Sequence, residues 1–192
     1  YKMMTDRFGN PSSRHEAGLS AHTAMKNARN KVAKAVGCLP EELYFSPSGT
    51  CANNTALFGA VRLMRRYGNR IITTSLEHPS VNEPLKYLES SGFEIIRLPA
   101  DASGKISLSA LRSALNANTI LVTMMLVNKE IGVINPIADA SQLIHQSGSR
   151  ALIHCDAVHG FGKLSVKPAK LGVDLLSVSA HKIHGSKGAG AL

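Results

Sequence analysis

Apolar positions along this chain change their period repeatedly, and the changes mark out its elements. Between residues 13 and 36, Leu19, Met25, Val32, Ala33 and Val36 recur at helical spacing, and the run stops at Gly37 with Pro40 beyond it, which predicts a helix. Short continuous apolar runs predict strands at 42–46, 70–74, 93–98, 119–127, 151–155 and 174–178. Helices are predicted between them: 51–66 after the turn Pro47-Ser48-Gly49-Thr50, then 79–90, 108–115 and 136–146. Pro79 suits a first helical turn, where no N–H is needed. Strands that alternate with helices and lack period-two polarity are covered on both sides. The pattern predicts an α/β fold, a mainly parallel doubly wound sheet with helices on both faces.

A length of 192 residues suits one domain with a substantial core, read here as a single large domain over 1–192. The first residue is Tyr, and Gly188-Ala189-Gly190-Ala191-Leu192 reads as a strand just beginning. Both ends therefore read as cut, with any targeting segment lying outside the sequence. No apolar run approaches the roughly 20 residues of a membrane span, which argues against a membrane protein. The formal net charge is +9, from 22 Lys and Arg against 13 Asp and Glu. These basic residues are scattered, their densest cluster being Arg62, Arg65 and Arg66, without interleaved aromatics, so nucleic acid is not the expected partner. Cys38, Cys51 and Cys155 form neither a CxxC pair nor an even framework, which points to a reducing, cytoplasmic setting. In that setting the glycosylation sequon Asn53-Asn54-Thr55 is accidental.

Ligands of open α/β sheets bind beyond the carboxyl ends of the strands. Polar clusters follow the predicted strands at Ser48-Gly49-Thr50, Glu77-His78, Asn128-Lys129-Glu130, 156–159 and 179–182, so all five fall on one rim. Ser48-Gly49-Thr50 begins a helix, where free N–H groups either take a phosphate or merely cap the helix. It lacks the Gly-Lys-Ser/Thr of a P-loop, and Gly185-Ser186-Lys187-Gly188 lacks the leading glycine of one, so a nucleotide site is set aside. His78 can stack on a planar heterocycle or move a proton. Asn128 can bond a ring substituent or a carboxylate. His154, Cys155, Asp156, His159, His181 and His184 include enough donors for a metal, but none has zinc-ribbon or HExxH spacing and none is expected to bind one.

Two of these positions carry sharper chemistry. Lys182 leaves an apolar strand into a loop of Ser, His and Gly, so it is placed to be desolvated and to act as a nucleophile that forms a Schiff base with an aldehyde. Asp156 ends the neighbouring apolar strand, where a lone carboxylate needs a partner. That partner is either the protonated ring nitrogen of pyridoxal phosphate or a group within the protein, such as Lys163 or a backbone N–H.

Together these segments resemble the class V aminotransferase family of fold-type I pyridoxal-phosphate enzymes, most closely the NifS-type cysteine desulfurases. The resemblance runs over nearly the whole chain, through Phe8-Gly9-Asn10-Pro11-Ser12-Ser13, Tyr44-Phe45-Ser46-Pro47-Ser48-Gly49-Thr50, Glu77-His78, Val127-Asn128-Lys129-Glu130-Ile131-Gly132, His154-Cys155-Asp156-Ala157 and Ser179-Ala180-His181-Lys182-Ile183-His184-Gly185. It implies that Lys182 is the covalent anchor of the cofactor and that Asp156 pairs with its ring nitrogen. It implies further that His78 stacks over the ring and shares proton transfer with Lys182. Gly49, Thr50, Ser179 and His181 would hold the phosphate, and Asn128 would lie near the ring and the substrate carboxylate.

The sequence departs from that family at His159, where a glutamine usually contacts the cofactor's phenolic oxygen, at Cys51 for glutamate, at Lys129 for asparagine and at Cys155 for valine. The family also carries a sulfur-bearing loop cysteine and a C-terminal small domain downstream, and neither is expected within these residues. The resemblance implies a desulfurase that converts cysteine to alanine and a persulfide for iron–sulfur clusters or thiolated cofactors. It also implies a homodimer with a sulfur-acceptor or scaffold protein, the isolated chain being inactive. A selenocysteine lyase, aminotransferase or epimerase on the same cofactor remains open, as does a non-catalytic cofactor-binding domain.

Overall fold

The computed structural model describes residues 2–192, which form two compact units, one ending at Leu43 and the other spanning Tyr44–Leu192. The first unit contains α1 (Lys2–Thr5), α2 (Glu16–Val36) and a 3₁₀ turn, Pro40–Glu42. His15 caps α2 by accepting the Gly18 N–H through Nδ1 at 3.3 Å, and Gly37 ends it at φ 84°, a left-handed conformation suited to glycine. The helix matches its periodicity, and its buried face follows the stripe at Ala33 and Val36 but not at its start. Leu19 and Met25 are exposed, while Gly18, Ala21, Ala33 and Val36 are buried. A Cβ on Gly18 would come within 2.3 Å of the Ser13 carbonyl oxygen and 2.8 Å of that of Asn10, so the preceding segment lies directly on this small-residue face. The strand predicted at 42–46 shrinks to β1 (Phe45–Ser46), because the turn begun by Pro40 is closed by the Leu39 N–H donating to Glu42 Oε2 at 2.8 Å.

The second unit is built on a seven-stranded sheet. Its parallel part comprises β2 (Arg70–Thr74), β3 (Glu94–Leu98), β4 (Thr119–Met125), β5 (Leu152–Asp156) and β6 (Leu175–Ser179). The last strand, β7 (Gly190–Ala191), runs antiparallel to both β6 and β1 and so makes the sheet mixed at one edge. The spatial order is β1-β7-β6-β5-β4-β2-β3. Helices α3 (Gly49–Met64), α4 (Pro79–Ser90), α5 (Leu108–Ala114), α6 (Ile137–Gln146) and α7 (Pro168–Leu171) flank it, α3 packing on α4 and along β4–β7, and α6 packing on α5 and α7.

Leu57, Val61 and Leu85 from the helices meet Ile71 and Leu121 from the strands in one core, and each such side chain contributes about 1.5–3 kcal/mol on burial. Pro84 sits inside α4 and cannot bond the Ser80 carbonyl, but Asn54 of α3 donates its side-chain amide to that oxygen at 3.1 Å. The chain winds from β2 to β3 on one side and then crosses to β4 on the other. Adjacent β2 and β4 therefore form a topological switch point, where the carboxyl ends of parallel strands open a crevice.

Candidate active site

A cavity of about 160 Å³ opens at that rim. The lining comes mainly from strand ends and helix starts: Gly49, Thr50 and Asn53 from the first two turns of α3, His78 and Ser80 after β2, Lys129 after β4, Asp156 at the end of β5 and His159 after it, and His181 and Lys182 after β6. Parallel pairing aligns these ends, so side chains more than 100 positions apart in sequence share one space.

Asp156 is buried and has no cationic partner among the described residues. The Asn53 side-chain amide donates to its Oδ2 at 2.8 Å and the Val158 N–H donates to its Oδ1 at 3.0 Å. Of the internal partners open to it, the backbone N–H is realised and Lys163 is not. The Lys163 ammonium instead donates to the carbonyls of His159 and Lys182, at 3.3 and 3.2 Å, and so ties the two loops together.

Asn53 spends its second amide hydrogen on Ser80 Oγ at 2.9 Å, and Ser80 Oγ lies 2.8 Å from His78 Nδ1. A hydrogen-bonded chain thus runs Asp156, Asn53, Ser80, His78. The Ser80 backbone N–H also donates to His78 Nδ1, at 3.0 Å, which makes that nitrogen an acceptor and leaves the proton of the neutral ring on Nε2. Burial holds the His78 imidazole below its ordinary pKa, and the charges of Lys129 and Lys182 reinforce this against Asp156. His159 is lowered too, by burial first and then by Lys182.

The start of α3 makes the second half of the site. Ser48 caps the helix by accepting the Cys51 N–H at 3.1 Å, while helix geometry leaves the N–H groups of Gly49 and Thr50 without an acceptor inside the helix. A Cβ on Gly49 would stand 2.7 Å from Val158 Cγ2 and 3.2 Å from Ser179 Cβ, so only glycine lets the helix come this close to β6. Ser179 is buried beneath the cavity, its Oγ 2.7 Å from His181 Nδ1. Lys182 lies in a 3₁₀ turn, Ala180–Ile183, that ends at His184 with φ 62°, a left-handed position costly for a residue other than glycine.

Asn128 is not among the residues that line the cavity. Its Oδ1 accepts the N–H groups of Glu130 and Ile131 at 2.9 and 3.1 Å, and its amide faces Met125 Sδ at 3.6 Å, so the side chain closes its own turn. The next residue, Lys129, lines the cavity in its place. Asn53 and Ser80 were not legible as site residues, because Asn53 stands a full turn inside α3 and Ser80, although it follows His78 at the start of α4, carries no ionisable group. The sequon reading of Asn53 is indeed without consequence, since that side chain is 1% exposed and fully engaged as a donor.

His154, two residues before Asp156, is buried in a row across three strands, Nδ1 2.8 Å from Thr123 Oγ1 and Nε2 2.9 Å from Ser177 Oγ. Burial pushes it down to about 4. Among the described residues no three of His, Cys, Asp and Glu converge as a metal cage, and no helix is long and apolar enough to cross a membrane.

A lysine and a buried, cation-free aspartate on the rim of a parallel sheet, beside a helix N-terminus, are a combination that the comparisons with known proteins resolve. The model of the class-V aminotransferases matches residues 1–192, and the chain belongs to that family, whose members depend on pyridoxal phosphate. Within it, the chain is 43% identical over 189 residues to the cysteine desulfurase IscS of Dictyoglomus turgidum, covering 98% of this chain and 48% of that protein. It is 41% identical over 189 residues to the IscS of Methanosarcina thermophila, covering 98% of this chain and 46% of that protein. Among solved structures, a NifS-like protein superposes with a TM-score of 0.96 at 37% identity, over 99% of this chain and 52% of that one. SspA in complex with cysteine gives 0.93 at 35% identity, over 99% of this chain and 54% of that one. The chain thus spans about half the length of the relatives it matches.

Proposed function

We propose that this chain is the cofactor-binding part of a pyridoxal-phosphate-dependent cysteine desulfurase. The observation that carries the reading is Asp156, a buried carboxylate on the cavity wall whose hydrogen bonds among the described residues come from neutral donors and whose charge is therefore free for a cationic ring nitrogen. The rest of the cavity suits the cofactor as well. Gly49, Thr50, Ser179 and His181 form an anion cradle at the start of α3, where the N–H groups of Gly49 and Thr50 have no acceptor inside the helix. When bound, pyridoxal phosphate supplies a conjugated electron sink for the bonds at the amino acid's Cα.

The protein's own contribution follows from the geometry. Lys182 is the covalent anchor. Asp156 keeps the ring nitrogen positively charged, and Asn53 fixes the carboxylate's orientation. His78, neutral and carrying its proton on Nε2, is the donor available beside Lys182 for proton transfer at the substrate. Lys129 and His159 add positive and hydrogen-bonding character for an amino-acid carboxylate or a ring oxygen.

In the reaction the cysteine C–S bond breaks, alanine forms, and the sulfur passes to a thiolate as a persulfide. None of the three cysteines lines the cavity, and Cys155 is buried with its thiol pushed well above the ordinary range. We therefore assign the sulfur-accepting thiol to a residue brought to the cavity from elsewhere, and negligible desulfurase activity to these residues alone. A homodimer, a sulfur-acceptor or scaffold protein and a cytoplasmic setting belong to the same proposal.

The test is incubation with pyridoxal phosphate, borohydride reduction and peptide mass spectrometry. A pyridoxyl adduct confined to Lys182, and lost in Lys182→Ala, is the expected outcome. Scattered labelling in a folded chain would overturn the reading.

A further inference from the structure

Directly beneath the His78 turn lies a carboxyl group that the proposed reaction does not use. Glu77 is 5% exposed. Its Oε1 accepts two hydrogen bonds, from the Thr74 hydroxyl at 2.8 Å and from the Met125 backbone N–H at 2.9 Å. Thr74 ends β2 and Met125 ends β4, so this one oxygen bridges the two strands at the switch point. The same turn is closed by the Leu76 N–H donating to Thr74 Oγ1 at 3.2 Å and by Asn82 donating to the Glu77 carbonyl at 2.8 Å. The other carboxyl oxygen, Oε2, is buried and has no hydrogen-bond partner.

An ionised carboxylate held in this way is expensive. One of its oxygens receives no donor in an apolar environment, and the ionisable groups that act on it, Asp156 on β5 and the adjacent Cys155, bring no positive charge. Protonation removes the charge while leaving Oε1 free to accept both bonds.

We propose that Glu77 is a positioning residue that carries a proton in the unliganded protein, Oε1 anchoring the His78 turn to β4, and that it holds that proton less firmly when a cation docks on Asp156. The second half rests on the pyridoxal-phosphate reading above; the first half does not. The physical link is mutual. Asp156, when unpaired, disfavours a second negative charge at Glu77, and a cation beside Asp156 lifts that penalty. Burial, opposed by the Met125 and Thr74 bonds and reinforced by Asp156, raises the group to about 8, so its proton is in play at working pH.

The first experiment needs no cofactor. The infrared carbonyl band of a protonated carboxyl is followed against pH in the unliganded chain and in Glu77→Gln, which keeps an acceptor oxygen at the Oε1 position. A band present at pH 7, absent in Glu77→Gln and lost with a midpoint near 8 is expected. Titration in the ordinary glutamate range, about 4.3, would overturn the proposal. If Glu77→Gln fails to fold, Thr74→Val supplies the same information. Removal of a donor to the ionised form must raise the midpoint, and an unmoved or lowered midpoint would sink the idea.

The second experiment measures protons exchanged on loading pyridoxal phosphate, by calorimetry in two buffers of different ionisation enthalpy near pH 7.5. The unsubstituted chain is expected to release more protons than Glu77→Gln, and equal release would refute the coupling to Asp156. Failure of both proteins to load the cofactor refutes the coupling and the functional reading together, and leaves the infrared result on the unliganded chain standing.

Discussion

The two ends of the same parallel sheet treat charge in opposite ways. At the amino-terminal edge, Arg70 at the start of β2 and Glu94 at the start of β3 form a two-pronged ion pair at 2.8 and 2.7 Å, partly open to water. At the carboxyl rim, Asp156 is buried, and the hydrogen bonds it accepts come from neutral donors, the Asn53 amide and the Val158 N–H. A charge satisfied by an opposite charge has little left to offer a ligand. A charge held by amides and hydroxyls keeps its field, at a cost in desolvation, and the rim therefore remains an electrostatic site. The sheet uses its solvated edge for a surface pair that salt screens, and its buried edge for chemistry.

Substitutions can break this contrast from either side. The largest effect is expected from Asp156→Asn, which keeps hydrogen-bonding atoms in place and removes only the charge. A hydrogen bond to a charged group is worth about 1.5–3 kcal/mol, so affinity for pyridoxal phosphate should fall roughly 10- to 100-fold in an absorbance titration. Unchanged affinity would show that the carboxylate is not the cofactor's partner.

The pH dependence of stability is the next largest test. His154 has an ordinary value of 6.5 and a folded value of about 4, so between these limits the unfolded chain binds the extra proton. Stability from this group is complete above pH 6.5 and is lost as pH falls toward 4. Glu77 acts in the opposite sense. Its folded value is raised from 4.5 to about 8, so the folded chain holds the extra proton in that window and stability declines as pH rises through it. Urea unfolding across pH should show the acid-side decline flattened in His154→Gln. An unaltered acid limb would mean that His154 is not the group responsible.

The smallest effect belongs to the other edge. Glu94→Gln should move the urea midpoint no further than replicate scatter, and less still at high salt. A large shift there would erase the distinction between the two ends.

Much of the fold was legible because buried parallel strands and amphipathic helices write their periods into the sequence. The bounds predicted for β2 and α4 agree with those found, and the other parallel strands differ by one or two residues at one or both ends. The strand read as beginning at the end of the chain is β7, but its antiparallel direction was not legible, because that depends on β1 and β6 lying nearby. The buried face of α2 was read correctly at Ala33 and Val36 but not in its first half. Leu19 and Met25 carry the hydrophobic signal, but the segment that covers the helix packs on Gly18, where only a missing side chain leaves room.

The sequence by itself determined which residues stand at strand ends and helix starts, and so brought Lys182, Asp156, His78, His159, Gly49, Thr50 and His181 to one rim, with Ser179 just beneath it. Position along a strand is a local property, and periodicity reports it. Only the tertiary structure decided which of two neighbours, Asn128 or Lys129, faces the cavity, and that Asn53 and Ser80 join Asp156 to His78. It alone also leaves one oxygen of Glu77 without a partner. Those facts depend on a turn's side-chain capping and on helices approaching across more than 100 residues of chain, distances over which hydrophobic patterning carries no information.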